Sequence, residues 1–176
     1  SFEELPYQEF LDASPIKDIS AEVSDSWEVP HQHAGDIIFL HENGGKVRPI
    51  CTPHAELQVV FQPFHMALSR MLRCIPEDCT FDQEKGAIWG SKQLEAGKTV
   101  YSIDLKSATD RFPVWLQLRF LEDSGFPVKW LKAFDVTISS KFKTPYGVIS
   151  YGAGQAMGLY GSFPLLALGQ HGLIRM

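Results

Sequence analysis

The sequence contains few cysteines and no long apolar run. These two features limit the classes of protein to which it can belong. Its three cysteines, at positions 51, 74 and 79, are odd in number and lack the paired Cys-x-x-Cys spacing of a structural zinc site. We therefore predict free thiols. No run of about 18 apolar residues is present to span a membrane. The acidic N-terminus also lacks the basic and apolar regions of a secretory signal. Together these absences predict a soluble, intracellular protein.

The negative charge is concentrated at one end of the chain. The formal net charge is −5, and residues 1–30 hold eight acidic side chains against a single lysine. The remainder carries a small positive excess, which could contact phosphates or form a solvated face. At 44% hydrophobic, the 176 residues can bury a sizeable core. We interpret residues 1–45 as a peripheral acidic arm, closed by the turn signal HENGG at 41–45.

Apolar spacing predicts several helices and one hairpin. Residues 57–71 carry apolar side chains at helical spacing after Thr52-Pro53, although Pro63 should break or kink such a helix. Further elements are predicted as follows: helices over 113–125 and from 128, a hairpin over 141–152, and a glycine-rich loop leading into an apolar helix over 152–174.

The stretch VYSIDLKSATDRFP at 100–113 carries two acidic residues that need an explanation. Val100 to Ile103 predicts a short buried strand, with Asp104 at its end and Asp110 six positions on. A carboxylate at the end of a buried strand is costly unless it is paired, hydrogen-bonded or bound to a metal. Taken alone, Asp110 could equally be a helix N-cap.

These carboxylates belong to a larger set of groups suited to phosphoryl transfer. Lys46 and Arg48 project from the same side of a predicted strand, and a glycine loop lies downstream. In that chemistry, carboxylates hold divalent ions and cations neutralise a triphosphate. The backbone amides of a glycine loop can approach a nucleotide closely. Singly, the loop is also compatible with an ordinary turn, and the two cations with a solvated strand face.

The order of these segments is more specific than any one of them. Lys46-Val47-Arg48, then DLKSATDRFP, then GAGQAMGLYGSFPLLALGQH resembles motifs F, A and B of viral RNA-dependent RNA polymerases, most closely the mitovirus and narnavirus-like lineage. The resemblance covers about residues 44–174. It implies an α+β fold: a right-hand polymerase fragment with an antiparallel palm sheet flanked by helices, incomplete at the C-terminus. Residues 46–98 would be fingers-like, and residues 99–176 a partial palm.

The resemblance also implies roles for individual residues. Asp104 matches the motif A carboxylate that binds the catalytic Mg²⁺ or Mn²⁺, and Asp110 the one that recognises the ribose 2′-hydroxyl. Lys46 and Arg48 would contact the NTP triphosphate, while Lys106 is a weaker phosphate contact. The motif B residues are Gly154, Gln155, Met157, Gly158 and Ser162. Their loop would adjust around template and nascent RNA, and Ser162 would help Asp110 to read the ribose.

The sequence departs from the family pattern in three respects. Ala156 stands where proline is usual, and Phe163-Pro164 replaces the common Ser-Trp continuation. No Gly-Asp-Asp, the signature of motif C, occurs in the 176 residues. We therefore expect a fragment that cannot complete two-metal catalysis alone.

Two alternatives to a polymerase fragment remain open at this stage. One is a non-catalytic, degenerate or integrated remnant that at most binds RNA. The other is a reverse transcriptase, which Asp110 argues against because an enzyme using deoxyribonucleotides has no 2′-hydroxyl to recognise. Localisation would be mitochondrial for a mitovirus-like enzyme and cytoplasmic otherwise, and the sequence leaves the oligomeric state open.

Overall fold

A computed structural model of the protein describes residues 22–175, which contain four strands and six helices. The strands are β1 Gly35–His41, β2 Val47–Pro53, β3 Phe142–Thr144 and β4 Gly147–Ile149. The helices are α1 Ala55–Arg73, α2 Gln83–Glu95, α3 Ala108–Arg111, α4 Val114–Asp123, α5 Val128–Ile138 and α6 Ser162–Arg175. No helix within these residues is long and apolar enough to cross a membrane.

The strands form one mixed sheet with the order β2-β1-β3-β4. Two antiparallel hairpins, β1–β2 and β3–β4, confirm the predicted turns at 41–45 and around Pro145-Tyr146-Gly147. They are joined by a parallel contact between β1 and β3, through Asp36 and Lys143. The sheet of residues 22–175 is therefore mixed, and the antiparallel palm sheet that the resemblance implies stays a prediction. Spacing within one segment could not indicate this pairing, which joins segments about a hundred residues apart.

The predicted buried strand over Val100–Ile103 is absent. These residues form no strand, and the side chains of Tyr101 and Ile103 are 84% and 83% exposed. A β-prone sequence needs a neighbouring strand to satisfy its backbone groups. Among residues 22–175 no strand lies beside this segment. Asp104 consequently lies on an exposed, irregular segment rather than at the end of a buried strand.

The segment expected to be a peripheral arm instead takes part in the fold from residue 22 onward. Val23 is buried, and the Trp27 ring packs edge-on against Phe61 with centroids 5.8 Å apart. The Trp27 Nε1–H also donates a hydrogen bond to Thr137 Oγ1 on α5, at 3.0 Å. Strand β1 then occupies an interior position of the sheet. The part of the predicted arm over residues 1–21 lies outside the described residues.

The core is built around α1 and α5. Phe61 and Phe64 of α1 are fully buried and pack against Trp130 and Phe134 of α5. These positions have the helical spacing predicted from the sequence, so α1 and α5 are confirmed, as are α4 and α6. Burial of such large aromatic side chains stabilises the fold.

Two local predictions about helices were wrong or incomplete. Helix α1 does not break at Pro63, which lies inside it. The carbonyl left without a helical donor is that of Val59, an exposed residue. Helix α2 was not predicted, because none of its residues is buried and its apolar side chains follow no regular face. Asp82 caps its N-terminus, where the Asp82 side chain accepts a hydrogen bond from the Lys85 N–H.

Candidate functional site

The segment between the two aspartates ends in a single helical turn. Ser107 adopts φ 51° and ψ 47°, a left-handed conformation that costs energy for a residue with a side chain. It directs the chain into α3, in which Thr109 is buried and Asp110 is partly exposed. The structure thus separates an exposed Asp104 from a partly buried Asp110.

The glycine loop over residues 152–161 packs directly on α3. The backbone N–H of Gly154 donates to the Asp110 carbonyl at 3.1 Å, and that of Gln155 to the Thr109 carbonyl at 2.8 Å. A third bond, from the Val114 N–H to the Ala153 carbonyl at 2.9 Å, extends the contact to the start of α4. Two sequence-predicted groups more than forty positions apart are therefore brought together.

Gly154 permits this close approach because it has no side chain. A Cβ at this position would lie 2.1 Å from the Thr109 carbonyl oxygen and 2.4 Å from that of Asp110. Both obstacles are backbone atoms, so neither can turn aside as a side chain could. The glycine is required by the geometry of the contact itself.

The surroundings of the Asp110 side chain disfavour its charged form. Partial burial raises its pKa above the ordinary value for aspartate. Among the described residues, no donor binds its side-chain oxygens. Burial also raises the pKa of Tyr151 to about 12, with a further contribution from the Asp110 charge. Tyr151 belongs to no sequence motif, because a single tyrosine after a short strand carries no distinctive signal.

Gln155 and Ser162 are buried beneath the loop. Gln155 Nε2 donates to Gln117 Oε1 at 2.9 Å and to the Ser162 carbonyl at 3.1 Å. Gln155 Oε1 and Ser162 Oγ have no hydrogen-bond partner in the described part of the chain. Neither side chain faces solvent, so direct contact with RNA or ribose would require this loop to open. Gln117 is a further polar residue of the site that the apolar pattern of α4 concealed.

The second half of the loop contacts β2. The Cys51 N–H donates to the Met157 carbonyl at 2.7 Å. Gly158 has φ +118°, and a Cβ there would lie 2.2 Å from the Cys51 carbonyl oxygen. Met157 is half-buried and Gly158 is exposed. The loop is thus held at one side by α3 and at the other by β2.

Lys46 and Arg48 lie at the other end of β2. Lys46 is exposed in the β1–β2 turn. Arg48 binds the Glu42 carboxylate through Nε at 2.8 Å and through Nη2 at 3.2 Å. This guanidinium lowers the pKa of the Glu42 carboxyl. Arg48 precedes the loop contact at Cys51 by three residues, or about 10 Å along an extended strand. The structure does not bring these two cations into contact with the aspartates.

The described residues alone do not fit a metal centre. Among residues 22–175, no group of three or more His, Cys, Asp or Glu side chains is arranged to hold a metal ion. Asp104 would supply one exposed carboxylate, whereas Mg²⁺ requires near-octahedral oxygen coordination. Further ligands would have to come from elsewhere.

Comparison with known families identifies the class to which this arrangement belongs. The model of the family described as mitovirus RNA-dependent RNA polymerase matches residues 3–176, almost the whole chain. The chain therefore belongs to the mitovirus RNA-dependent RNA polymerase family. This confirms the family predicted from motifs F, A and B.

Two relatives show how the chain compares with longer sequences. It is 32% identical over 143 residues to the RNA-directed RNA polymerase of Cryphonectria parasitica mitovirus 1, covering 81% of this chain and 18% of that polymerase. It is 33% identical over 110 residues to an uncharacterized mitochondrial protein of Arabidopsis thaliana, covering 58% of this chain and 52% of that protein. The chain thus spans less than a fifth of the viral polymerase and about half of the plant protein.

Proposed function

We propose that this chain forms part of an RNA-directed RNA polymerase that transfers nucleotides from NTPs to an RNA 3′-end in viral genome replication. The observation that carries the proposal is the contact between α3 and the glycine loop, with Asp110 at its centre. The contact juxtaposes the segments that resemble motifs A and B. Family membership supports the same activity.

The ribose would be recognised by Asp110. Its carboxylate is partly exposed and accepts no hydrogen bond from the described residues, so an incoming 2′-hydroxyl could donate to it. Partial burial, which raises its pKa, leaves the charged carboxylate poorly hydrated, so a hydrogen bond from a donor would stabilise it. Ser162 would contribute only in a state in which its hydroxyl is exposed.

Asp104 would serve as one carboxylate ligand of a catalytic Mg²⁺ or Mn²⁺ ion. Its exposed position leaves it available to a ligand set completed by carboxylates that residues 22–175 do not supply. In a polymerase that supplies those further carboxylates, the β-prone residues 100–103 would gain a partner strand and form part of an antiparallel palm sheet. Residues 99–176 would then be a partial palm, and residues 46–98 the adjoining fingers.

Lys46 and Arg48 would bind the triphosphate and the departing pyrophosphate. Lys46 is exposed and could contact a phosphate directly. Arg48 would first exchange its bidentate contact with Glu42 for phosphate oxygens of the same geometry. Gly154, Gln155, Met157 and Gly158 would act through the shape of the loop that borders template and nascent RNA.

The cellular site of action would be the mitochondrion. The family is that of mitovirus polymerases, and one relative is a mitochondrial plant protein. Fractionation of cells expressing the full-length sequence would test this.

The activity can be tested by transplanting the chain into a complete relative. The corresponding segment of the Cryphonectria parasitica mitovirus 1 polymerase is replaced by this chain, and extension of a primed RNA template is measured. We expect template-dependent extension that is abolished by Asp104→Asn and retained by Asp135→Asn, a matched control at an exposed aspartate on α5. A chimera that folds but does not extend RNA, or that tolerates Asp104→Asn, would contradict the proposal.

A further inference from the structure

One side chain of α1 binds the glycine loop at two points. Gln58 Nε2 donates to the Gly158 carbonyl at 2.8 Å, and Gln58 Oε1 accepts from the Tyr160 N–H at 2.8 Å. Both polar ends of one amide are therefore used on loop residues two positions apart. Gln58 lies about a hundred positions from the loop in sequence, and no motif marks it.

A second residue of α1 continues the same contact. His65 Nδ1 accepts a hydrogen bond from the Gly161 N–H at 3.3 Å, and the His65 ring lies 4.9 Å from the Tyr160 ring. Residues 58 and 65 are two helical turns apart and share a face of α1. The loop is thus held along this face as it enters α6.

Helix α1 is a rigid support for this contact. Its neighbouring side chains Leu57, Phe61 and Phe64 are fully buried in the core. The loop, by contrast, contains positive-φ glycines at 158 and 161, whose backbones can adopt several conformations. Hydrogen bonds from a fixed helix select one of these conformations, the one in which Gly154 also contacts Asp110.

We propose that Gln58 is a positioning residue of the polymerase, fixing the glycine loop in the conformation that binds template and incoming nucleotide. This inference rests on the proposed function, because it assigns Gln58 a role in that reaction. Gln58 acts through the loop and does not touch the reacting atoms. Losing its two hydrogen bonds lowers the population of the competent loop, and apparent nucleotide affinity falls in proportion.

The contact itself is tested on this chain by amide hydrogen exchange. In Gln58→Ala, the amides of Tyr160 and Gly161 should exchange about tenfold faster, the change expected for about one to two neutral hydrogen bonds. Gln62→Ala is the matched control, because Gln62 is an exposed glutamine one turn further along α1. It should leave these rates unchanged. Gln58→Glu, which keeps the size and one acceptor but loses the donor, should be intermediate. Wild-type exchange rates in both Gln58 variants would overturn the inference.

The role in catalysis is tested in the chimeric polymerase. Gln58→Ala should raise the KM for the incoming ribonucleotide about tenfold and change kcat less than about twofold. A merely structural role would lower kcat in proportion to the folded fraction and leave KM unchanged, and that result would overturn the proposal. A wild-type chimera without activity would count against the proposed function, while the exchange rates would still decide whether Gln58 holds the loop.

Discussion

Replacing Gly154 by alanine is the most demanding test of the contact between the glycine loop and α3. The added Cβ would lie 2.1 Å from the Thr109 carbonyl oxygen and 2.2 Å from the Asp110 carbonyl carbon. Real Cβ atoms do not approach other atoms so closely, and both obstacles belong to the backbone. The loop and α3 must therefore separate, which breaks the hydrogen bonds from Gly154 and Gln155.

The loss of stability in Gly154→Ala follows from the backbone groups left unpaired. Each buried backbone group that loses its partner costs about 1–3 kcal/mol. Two such bonds predict a loss of about 3 kcal/mol, in the upper range for single substitutions. For a domain of this size, that corresponds to a decrease in Tm of about 6–12 °C. Since Asp110 is displaced with α3, nucleotide incorporation by the chimeric polymerase should also fall.

Thermal and urea unfolding followed by circular dichroism would measure this loss. Gly152→Ala provides the control, because Gly152 is exposed and a Cβ there meets nothing within 4 Å. Its stability should change by less than about 0.5 kcal/mol. Equal stability of Gly154→Ala and Gly152→Ala would refute the close packing of the loop on α3.

Three further predictions concern the reactivity of Cys51 and the stabilising roles of Trp27 and His65. Burial raises the pKa of Cys51 to about 12, so a thiol reagent should label the other two cysteines first and Cys51 only on unfolding. Trp27→Phe removes the hydrogen bond to Thr137 and should lower the free energy of unfolding by about 1 kcal/mol; an unchanged urea midpoint would argue against this packing. Burial lowers the pKa of His65, so its contribution to stability is complete above its ordinary pKa of 6.5 and is lost as the pH falls. His65→Gln should therefore lose less stability than wild type between about pH 7.5 and 5.5, and equal losses would exclude this role.

The elements that could be predicted are those whose own side chains form a buried face. Helices α1, α4, α5 and α6 carry apolar residues at helical spacing, and those residues are buried. Turn residues likewise indicated both hairpins, since Gly44 and Gly45 in the first turn and Gly147 in the second adopt positive φ.

The elements that could not be predicted depend on distant partners. Residues 100–103 have the composition of a strand but lack a neighbouring strand in the described part of the chain. Strand β1 was assigned to a peripheral segment because its pairing with β3 involves residues far along the sequence. Helix α2 buries none of its side chains, so no periodic face indicated it.

The residues of the candidate site also fall into two groups, those that the sequence predicts and those that it does not. The resemblance to polymerase motifs singled out Asp110 and the glycine loop, and the structure places them in contact. No sequence pattern marks Gln58 or Gln117, because each acts through one side-chain amide in an amphipathic helix and belongs to no motif. Residues that support a site through such contacts become visible only when distances are known.

The central claim, that Asp110 lies in a ribonucleotide site formed with the glycine loop, is tested most directly by sugar discrimination. Single-nucleotide incorporation by the chimeric polymerase would be measured with a ribonucleotide and the matching deoxyribonucleotide. We predict that Asp110→Ala lowers the preference for the ribonucleotide by at least about tenfold, as expected for loss of one hydrogen bond to a charged group. An unchanged preference in an active Asp110→Ala enzyme would contradict the account.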